Sequence, residues 1–479
     1  MNKLLLESVY NPEFFKEKGH QLIDDLTKHL DDKLNQKSNK AIHWNDPEKE
    51  LLFWQEFLKN GEKDHLFTEI TKRTTYVHHP NYIGHQVSPT APITGLTGLI
   101  SSLLNNGMAV YEMGMAPSAI ERVVTDIVCE KIGYDQNSRG FLTSGGTLAN
   151  LTALLTARKA ILKEDVWNKG NQQQLGIMVS AEAHYCVERA AKIMGLGEQG
   201  IIKVPVTGDY RLDTSLLEQK FAAAKNRGVH IFAIVGSAPS TATGIFDNLH
   251  EIGDFAKKQQ IWFHVDGAHG GAGIFSQKYK YTLKGIAQAD SVVIDGHKMM
   301  MMPTITTALL LKEGRHANAT FSQKADYLLT ESEHEDWYNS GKRTFECTKT
   351  MMSIHWYTLM KFYGLEVFDA YVTNLYDMGA TFGEIIKNNY NFELAIKPMS
   401  NIVCFRYIDS KLNPSELNQL NAKIRQQLLE DGEFYIVQTK LKGSHYLRVT
   451  IMNPFTTTEH LKKLLAKVTS LAQHLLKLN

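Results

Sequence analysis

IWFHVDGAHGGAG, residues 261–273, decides how the rest of the chain is read. A short, mostly apolar run ends on Asp266 and breaks at once into glycines. A run of that length and composition reads as a strand buried on both faces. Its closing carboxylate is costly there unless a cation meets it, although an aspartate that simply caps the next turn would look the same. The glycines at 267, 270, 271 and 273 are expected to let the backbone approach a flat ligand closely. A second run of the same kind, SVVIDGHKMMMMP (291–303), ends on Asp295 and sets Lys298 between the strand and four methionines. Lysine is among the residues least often buried. Its amine either snorkels to water on a long stem or is held in a dry pocket and used.

Outward from these two runs the pattern repeats. Between about residues 140 and 312, apolar segments such as IMVS and IFAIVGS alternate with helical ones such as LLEQKFAAAKNRG and LHEIGDFAKKQQ. This alternation predicts an α/β fold of βαβ units, with a mostly parallel central sheet covered on both faces. Ligands of such sheets sit beyond the carboxyl ends of the strands, which singles out Ser237, Asp266 and Asp295. Residues 1–77 read as a polar helical arm whose apolar face needs a partner, on the main body or on a second subunit. Residues 78–350 read as the large domain, and 351–479 as a smaller α+β domain.

Composition narrows the classes. The chain has 479 residues, 52 basic and 51 acidic side chains, and a formal net charge of +1. That balance argues against a general nucleic-acid or membrane-surface role. The four cysteines, at 129, 186, 347 and 404, are scattered and lack CxxC spacing, so neither zinc nor a disulfide framework is expected and a cytoplasmic setting fits. The opening MNKLLLESVY is too short in apolar residues for a signal peptide, and no run of about 18 apolar residues suggests a membrane span.

Two further stretches carry chemistry. In GFLTSGGTLANLTALLTARK (140–159) the leucine spacing starts a helix near Thr147. Ser144, Gly145, Gly146 and Thr147 then form a glycine-rich turn at a helix N-terminus, a natural phosphate seat and also an ordinary cap. In SAEAHYCVERAAKIMG (180–195), His184 stands between a strand and a helix, where a histidine is commonly a cap. Taken together the parts suit pyridoxal 5'-phosphate. Lys298 would form the Schiff base, Asp266 would keep the pyridine nitrogen protonated, His184 would stack on the ring, and the helix N-terminus would take the phosphate. Semi-buried surroundings are expected to lower the Lys298 pKa and assist imine formation. The methionines are expected to be adaptable packing.

The sequence resembles the pyridoxal-phosphate-dependent group II amino acid decarboxylases, of fold type I (aspartate-aminotransferase-like). The resemblance runs from HHPNYIGHQVSPTAP (78–92) to HYLRVTIMNPFTT (445–457), through TSGGTLANLTALLTAR, AHYCVERAAKIMGLG, WFHVDGAHGG and ADSVVIDGHK. It implies a sheet of the seven-stranded type and a homodimer with the active site at its interface. It also implies that Lys298, Asp266 and His184 have the roles above, and that Gly145, Gly146 and Thr147 hold the phosphate, helped by Asp295 and His297. Ser237 would lie near the cofactor hydroxyl and Ala268 on the other ring face.

The chain departs from the family pattern at Gly296, where proline is usual, and at Pro239, where glycine is usual. The loop ADYLLTESEHEDWYNSGKRTFE (325–346) is shorter than usual, with Tyr338 and His334 as its candidate proton donors for Cα. Loss of that donor would favour oxidative deamination or transamination. The implied reaction is decarboxylation of an L-amino acid to its amine, with 2,4-diaminobutyrate or an acidic substrate ahead of an aromatic one. His85, Gln86 and Asn105 are candidate side-chain contacts or structural hydrogen-bonders. Another fold type I reaction, such as an aminotransferase (with Arg448 on the substrate carboxylate), a desulfurase or a carbon–carbon lyase, is the alternative. A non-catalytic protein that kept the fold is a third reading.

Overall fold

The computed structural model describes residues 2–321 and 337–478. Its main sheet has seven strands: β1 (Arg139–Thr143), β2 (Leu175–Ser180), β3 (Ile201–Val204), β4 (His230–Ser237), β5 (Trp262–Asp266), β6 (Ser291–Asp295) and β7 (Thr307–Leu311). Their order is β1-β7-β6-β5-β4-β2-β3. The pairs β2–β3, β2–β4, β4–β5 and β5–β6 are parallel, and β7 runs antiparallel to both neighbours. This is the mostly parallel sheet expected of the α/β pattern. β2, β5, β6 and β7 are buried at every position, which is why they read as unbroken apolar runs.

Helices cover the sheet. The helix Gly146–Ile161 buries Leu151, Leu154 and Leu155 against Val187 and Ala190 of the helix Tyr185–Ile193 and against Val179 and Phe232 of the sheet. A second, four-stranded sheet has β8 (Phe392–Leu394), β9 (Ile402–Tyr407), β10 (Val437–Leu441) and β11 (Ser444–Thr450), in the order β10-β11-β9-β8.

The chain forms two compact units. One holds residues 86–388 and 394–404; the other holds 1–85, 389–393 and 405–479. These units cut the chain elsewhere than the sequence boundaries at 77 and 350. Residues 351–388 stay with the larger unit because the helix Glu366–Lys387 buries Phe368, Val372 and Leu375, with Phe368 5.3 Å from Phe275. The helical arm belongs with the C-terminal segment. There Ala41 N–H donates to Gly432 O at 2.8 Å, and Thr456 Oγ1 to Pro80 O at 2.7 Å.

The turn that leaves β6 explains one departure from the family pattern. A Cβ at Gly296 would stand 2.7 Å from Trp356 Cζ2 and 2.8 Å from Met302 Sδ. Trp356 is fully buried and donates from Nε1 to Thr306 Oγ1 at 2.9 Å, so it cannot move aside. Met299, Met300 and Met302 fill the surrounding core, in line with the packing role expected of them. Gly296→Ala is therefore expected to destabilise the protein by about 1–3 kcal/mol. Trp356→Phe, which removes the clashing atoms, should make the double variant less than additive. Urea midpoints for the four proteins test this, and an unchanged midpoint for Gly296→Ala would contradict it.

Candidate active site

The register of the sheet builds the site before any side chain is considered. Thr143 lies opposite Thr307, Thr307 opposite Asp295, and Ser237 opposite Asp266. The carboxyl ends of β1, β4, β5 and β6 thus set these residues along one edge, as the strand-end reading expects.

Asp295 is the most connected of them. Its side chain is 2% exposed, accepts from Thr307 Oγ1 at 2.6 Å and faces Lys298 Nζ at 2.9 Å. His297 Nε2 lies 3.7 Å away, and the other ring nitrogen is 3.0 Å from Thr306 O. A Cβ on Gly146 would come within 3.1 Å of both Asp295 oxygens and 3.4 Å of Ala268 Cβ. Glycine at 146 therefore brings the start of its helix onto the lysine turn, while Gly145 supplies the N-cap at φ 97°.

The lysine differs from expectation in one respect. Burial does push the Lys298 pKa down, but the Asp295 carboxylate, with Asp266 behind it, more than offsets this, and the net direction is up. The amine is charged and held by Asp295.

Asp266 is buried, and its Oδ1 accepts from Ala268 N–H at 3.2 Å, so the turn-capping contact is present. Yet no ion pair among the described residues neutralises it directly, which leaves its carboxylate available to a cationic ring nitrogen. His184 likewise serves two readings. It is the N-cap of the helix Tyr185–Ile193, its Nδ1 accepting from Cys186 N–H at 3.3 Å. Burial lowers its pKa, although Asp266 and Asp295 pull the other way, so the ring is neutral with its proton on Nε2. Its electrostatic neighbours, Asp266, Lys298 and Asp295, put it at the same site.

Several supporting residues gave no signal in the sequence reading. Trp262 Nε1 donates to Ser291 Oγ at 2.8 Å, Ser291 Oγ is 2.8 Å from His264 Nδ1, and His264 Nε2 is 2.7 Å from Asn150 Oδ1. Asn150 Nδ2 then donates to Gly146 O at 2.8 Å. Burial lowers the His264 pKa to about 4, so it is neutral and the donors run in one direction along this chain. The relay ties β5 and β6 to the first turn of the helix that follows Gly145. Asp247, raised to about 6 by burial, accepts from Ser237 N–H at 2.8 Å and Leu212 N–H at 2.7 Å and so braces the end of β4. Below β1, Lys349 pairs with Glu121 at 2.8 Å and donates to Leu142 O at 2.6 Å.

Other expected residues fall elsewhere. The Tyr338 ring stands 5.4 Å from Tyr111 and 5.5 Å from Trp337, and no contact among the described residues joins it to Lys298, Asp266 or His184. His334 lies outside the described residues. Asn105 ends the helix Pro92–Leu104 at φ 48°, a capping position. His85 packs 5.6 Å from Tyr435 in the smaller unit, which also holds the buried Arg448. A Cβ at Gly267, Gly270 or Gly271 would stand within 3 Å of Val293 O, Pro239 Cδ or Ile294 Cγ1, so these glycines serve close packing of the chain where the sequence suggested ligand approach. Among the described residues there is no group of side chains that would hold a metal.

A lysine amine paired with Asp295, a carboxylate without a direct ion pair, a neutral histidine and a helix N-terminus with no acid in its own first turn fit a phosphorylated pyridine aldehyde. Comparison with known proteins agrees. The pyridoxal-dependent decarboxylase conserved domain matches residues 59–408. An aromatic-L-amino-acid decarboxylase of Bacillus atrophaeus is 26% identical over 96% of both chains. An L-2,4-diaminobutyrate decarboxylase of Acinetobacter baumannii is 28% identical over 83% of this chain and 81% of that one. An aspartate 1-decarboxylase of Aliivibrio fischeri is 28% identical over 85% and 82%. The solved glutamate decarboxylase domain of a diaminobutyrate-pyruvate transaminase and L-2,4-diaminobutyrate decarboxylase from Vibrio parahaemolyticus superposes with a TM-score of 0.84 at 26% identity, covering 97% and 96% of the two chains. Mouse CSAD, at 22% identity, shares the fold with a TM-score of 0.87 over 95% and 99%.

Since Asp295 is the largest influence raising the Lys298 pKa, Asp295→Asn should lower it. In cofactor-free protein, the visible band formed with pyridoxal would then appear at lower pH than in wild type, with Lys298→Ala as the blank. A midpoint that stays or rises would contradict this reading.

Proposed function

We propose that this chain, which belongs to the pyridoxal-dependent decarboxylase family and is a carboxy-lyase using pyridoxal 5'-phosphate, removes the α-carboxyl of a small polar L-amino acid at the site around Lys298. The observation that carries the assignment is the clustering of Lys298, Asp295, Asp266 and His184 at the carboxyl edge of the sheet. Bound there, the cofactor supplies an electron sink for the pair released as carbon dioxide departs.

The chain's own residues divide the remaining work. Lys298 Nζ binds the aldehyde carbon. Asp266 holds the proton on the ring nitrogen, its charge favouring the pyridinium. Ala268 and His184 would cover the two ring faces, and Ser237 would serve the ring hydroxyl. Gly145, Gly146 and Thr147 take the phosphate at the helix N-terminus, with His297 beside them. Asp295 acts on Lys298, since one anion does not favour another. His184, fixed through Nδ1 by Cys186 N–H, presents Nε2–H to the substrate carboxylate. Lys298 would return a proton to Cα, and Tyr338, which packs on Tyr111 and Trp337, is the second candidate donor.

The substrate class rests on the relatives that act on aspartate and diaminobutyrate, with an aromatic amino acid as the competing choice. A homodimer is part of the reading. Leu96, Leu99, Ile100, Leu103 and Leu104 of one helix are all exposed, an apolar row that suits a second copy. A cytoplasmic setting is in keeping with four cysteines that form no disulfide among the described residues. No helix among the described residues is long and apolar enough to cross a membrane.

The protein loaded with cofactor should show a visible band that Lys298→Ala abolishes, and should release carbon dioxide from one class in a panel of amino acids. Asp266→Asn should lower kcat by at least about a hundredfold. Keto acid or aldehyde in place of amine would favour the alternative transamination or oxidative chemistry. A band that survives Lys298→Ala would overturn the assignment.

A further inference from the structure

Glu346 is the one acidic side chain among the described residues that stands on the donors leading into the glycine turn. Its carboxylate accepts from the hydroxyls of both Thr143 and Ser144, and from Ser144 N–H at 3.4 Å. These donors directly precede Gly145, the N-cap of the helix Gly146–Ile161, whose first turn carries no acid of its own. A helix N-terminus favours an anion, and Glu346 supplies one from a distant segment of the chain.

We propose that Glu346 is a built-in competitor of the cofactor phosphate. The inference rests on the phosphate seat assigned above to Gly145, Gly146 and Thr147. A phosphate arriving there would meet the Glu346 carboxylate on Ser144, one residue before Gly145, and would approach a second carboxylate, Asp295, across Gly146. Asp295 is already committed to Lys298 and Thr307. Glu346 is held by the Thr143 and Ser144 donors and by no ion pair among the described residues. Lys349, on which the Glu346 charge acts, is tied to Glu121 and Leu142 O. Its flanking residues, Phe345 and Cys347, are exposed, so the side chain has room to leave. Cofactor loading therefore displaces Glu346 from Ser144, and the carboxylate lowers phosphate affinity by the work of that exchange. A residue that merely braced the loop would have the opposite effect.

The test uses full-length cofactor-free protein and three probes: pyridoxal phosphate, pyridoxal and inorganic phosphate. Glu346→Gln keeps the hydroxyl contacts and removes the charge, while Glu346→Ala removes both. Both variants should bind pyridoxal phosphate and inorganic phosphate about five- to tenfold more tightly than wild type, with pyridoxal unchanged. Dissociation constants from equilibrium dialysis read this directly, and phosphate-dependent thermal unfolding gives an independent measure. If wild type prefers pyridoxal phosphate to pyridoxal but neither variant tightens it, the competitor role is overturned and the seat stands. If wild type binds the two equally, the seat itself fails and the inference with it.

Discussion

The Asp295 carboxylate is the group on which the rest of the site depends. It is almost fully buried, and a buried charge is tolerated only when paired and hydrogen-bonded. The fold provides both, with Lys298 at 2.9 Å and the Thr307 hydroxyl at 2.6 Å. Meeting these requirements fixes three things together: the antiparallel placement of β7 beside β6, the tight turn at Gly296 that brings the lysine back over the strand end, and the bare Gly146 that lets the next helix start against it.

Around that centre the support is polar and buried. The relay from Trp262 through Ser291, His264 and Asn150 to Gly146 locks the strands that carry Asp266 and Asp295 to the helix proposed to receive the phosphate. The pair Glu121–Lys349 does the same for the end of β1. Lys349 is a buried lysine whose pKa burial lowers, but its amine is spent on Glu121 and Leu142 O. Lys298 differs because its partner is a carboxylate at the open edge of the sheet and its side chain keeps 21% exposure. Burial alone does not single out Lys298 as the proposed reactive amine; the partner and the location do.

Much of this was legible in the sequence because strands buried on both faces read as unbroken apolar runs, and their last residues stand out by chemistry. Asp266, Asp295 and Lys298 were found in that way, and the helix after Gly145 by its leucine spacing. What stayed hidden depends on tertiary pairing. His264 sits inside an apolar run and gains meaning only when Asn150 and Ser291 face it. Asp247 and Glu346 lie in polar segments with no periodicity. The direction of the Lys298 pKa was misjudged because burial is visible in an apolar run while the distance to a carboxylate is not. The domain boundaries moved for a related reason: the helix Glu366–Lys387 has an apolar face whose partner, Phe275, is far away in sequence.

The central claim is that Lys298 is the amine that carries the cofactor. Borohydride reduction of the cofactor-loaded protein, followed by proteolysis and mass spectrometry, tests it most directly. The pyridoxyl label is expected on Lys298, within the peptide that contains Asp295 and His297. A label on Lys349, or one scattered over exposed lysines with Lys298 unmodified, would contradict it.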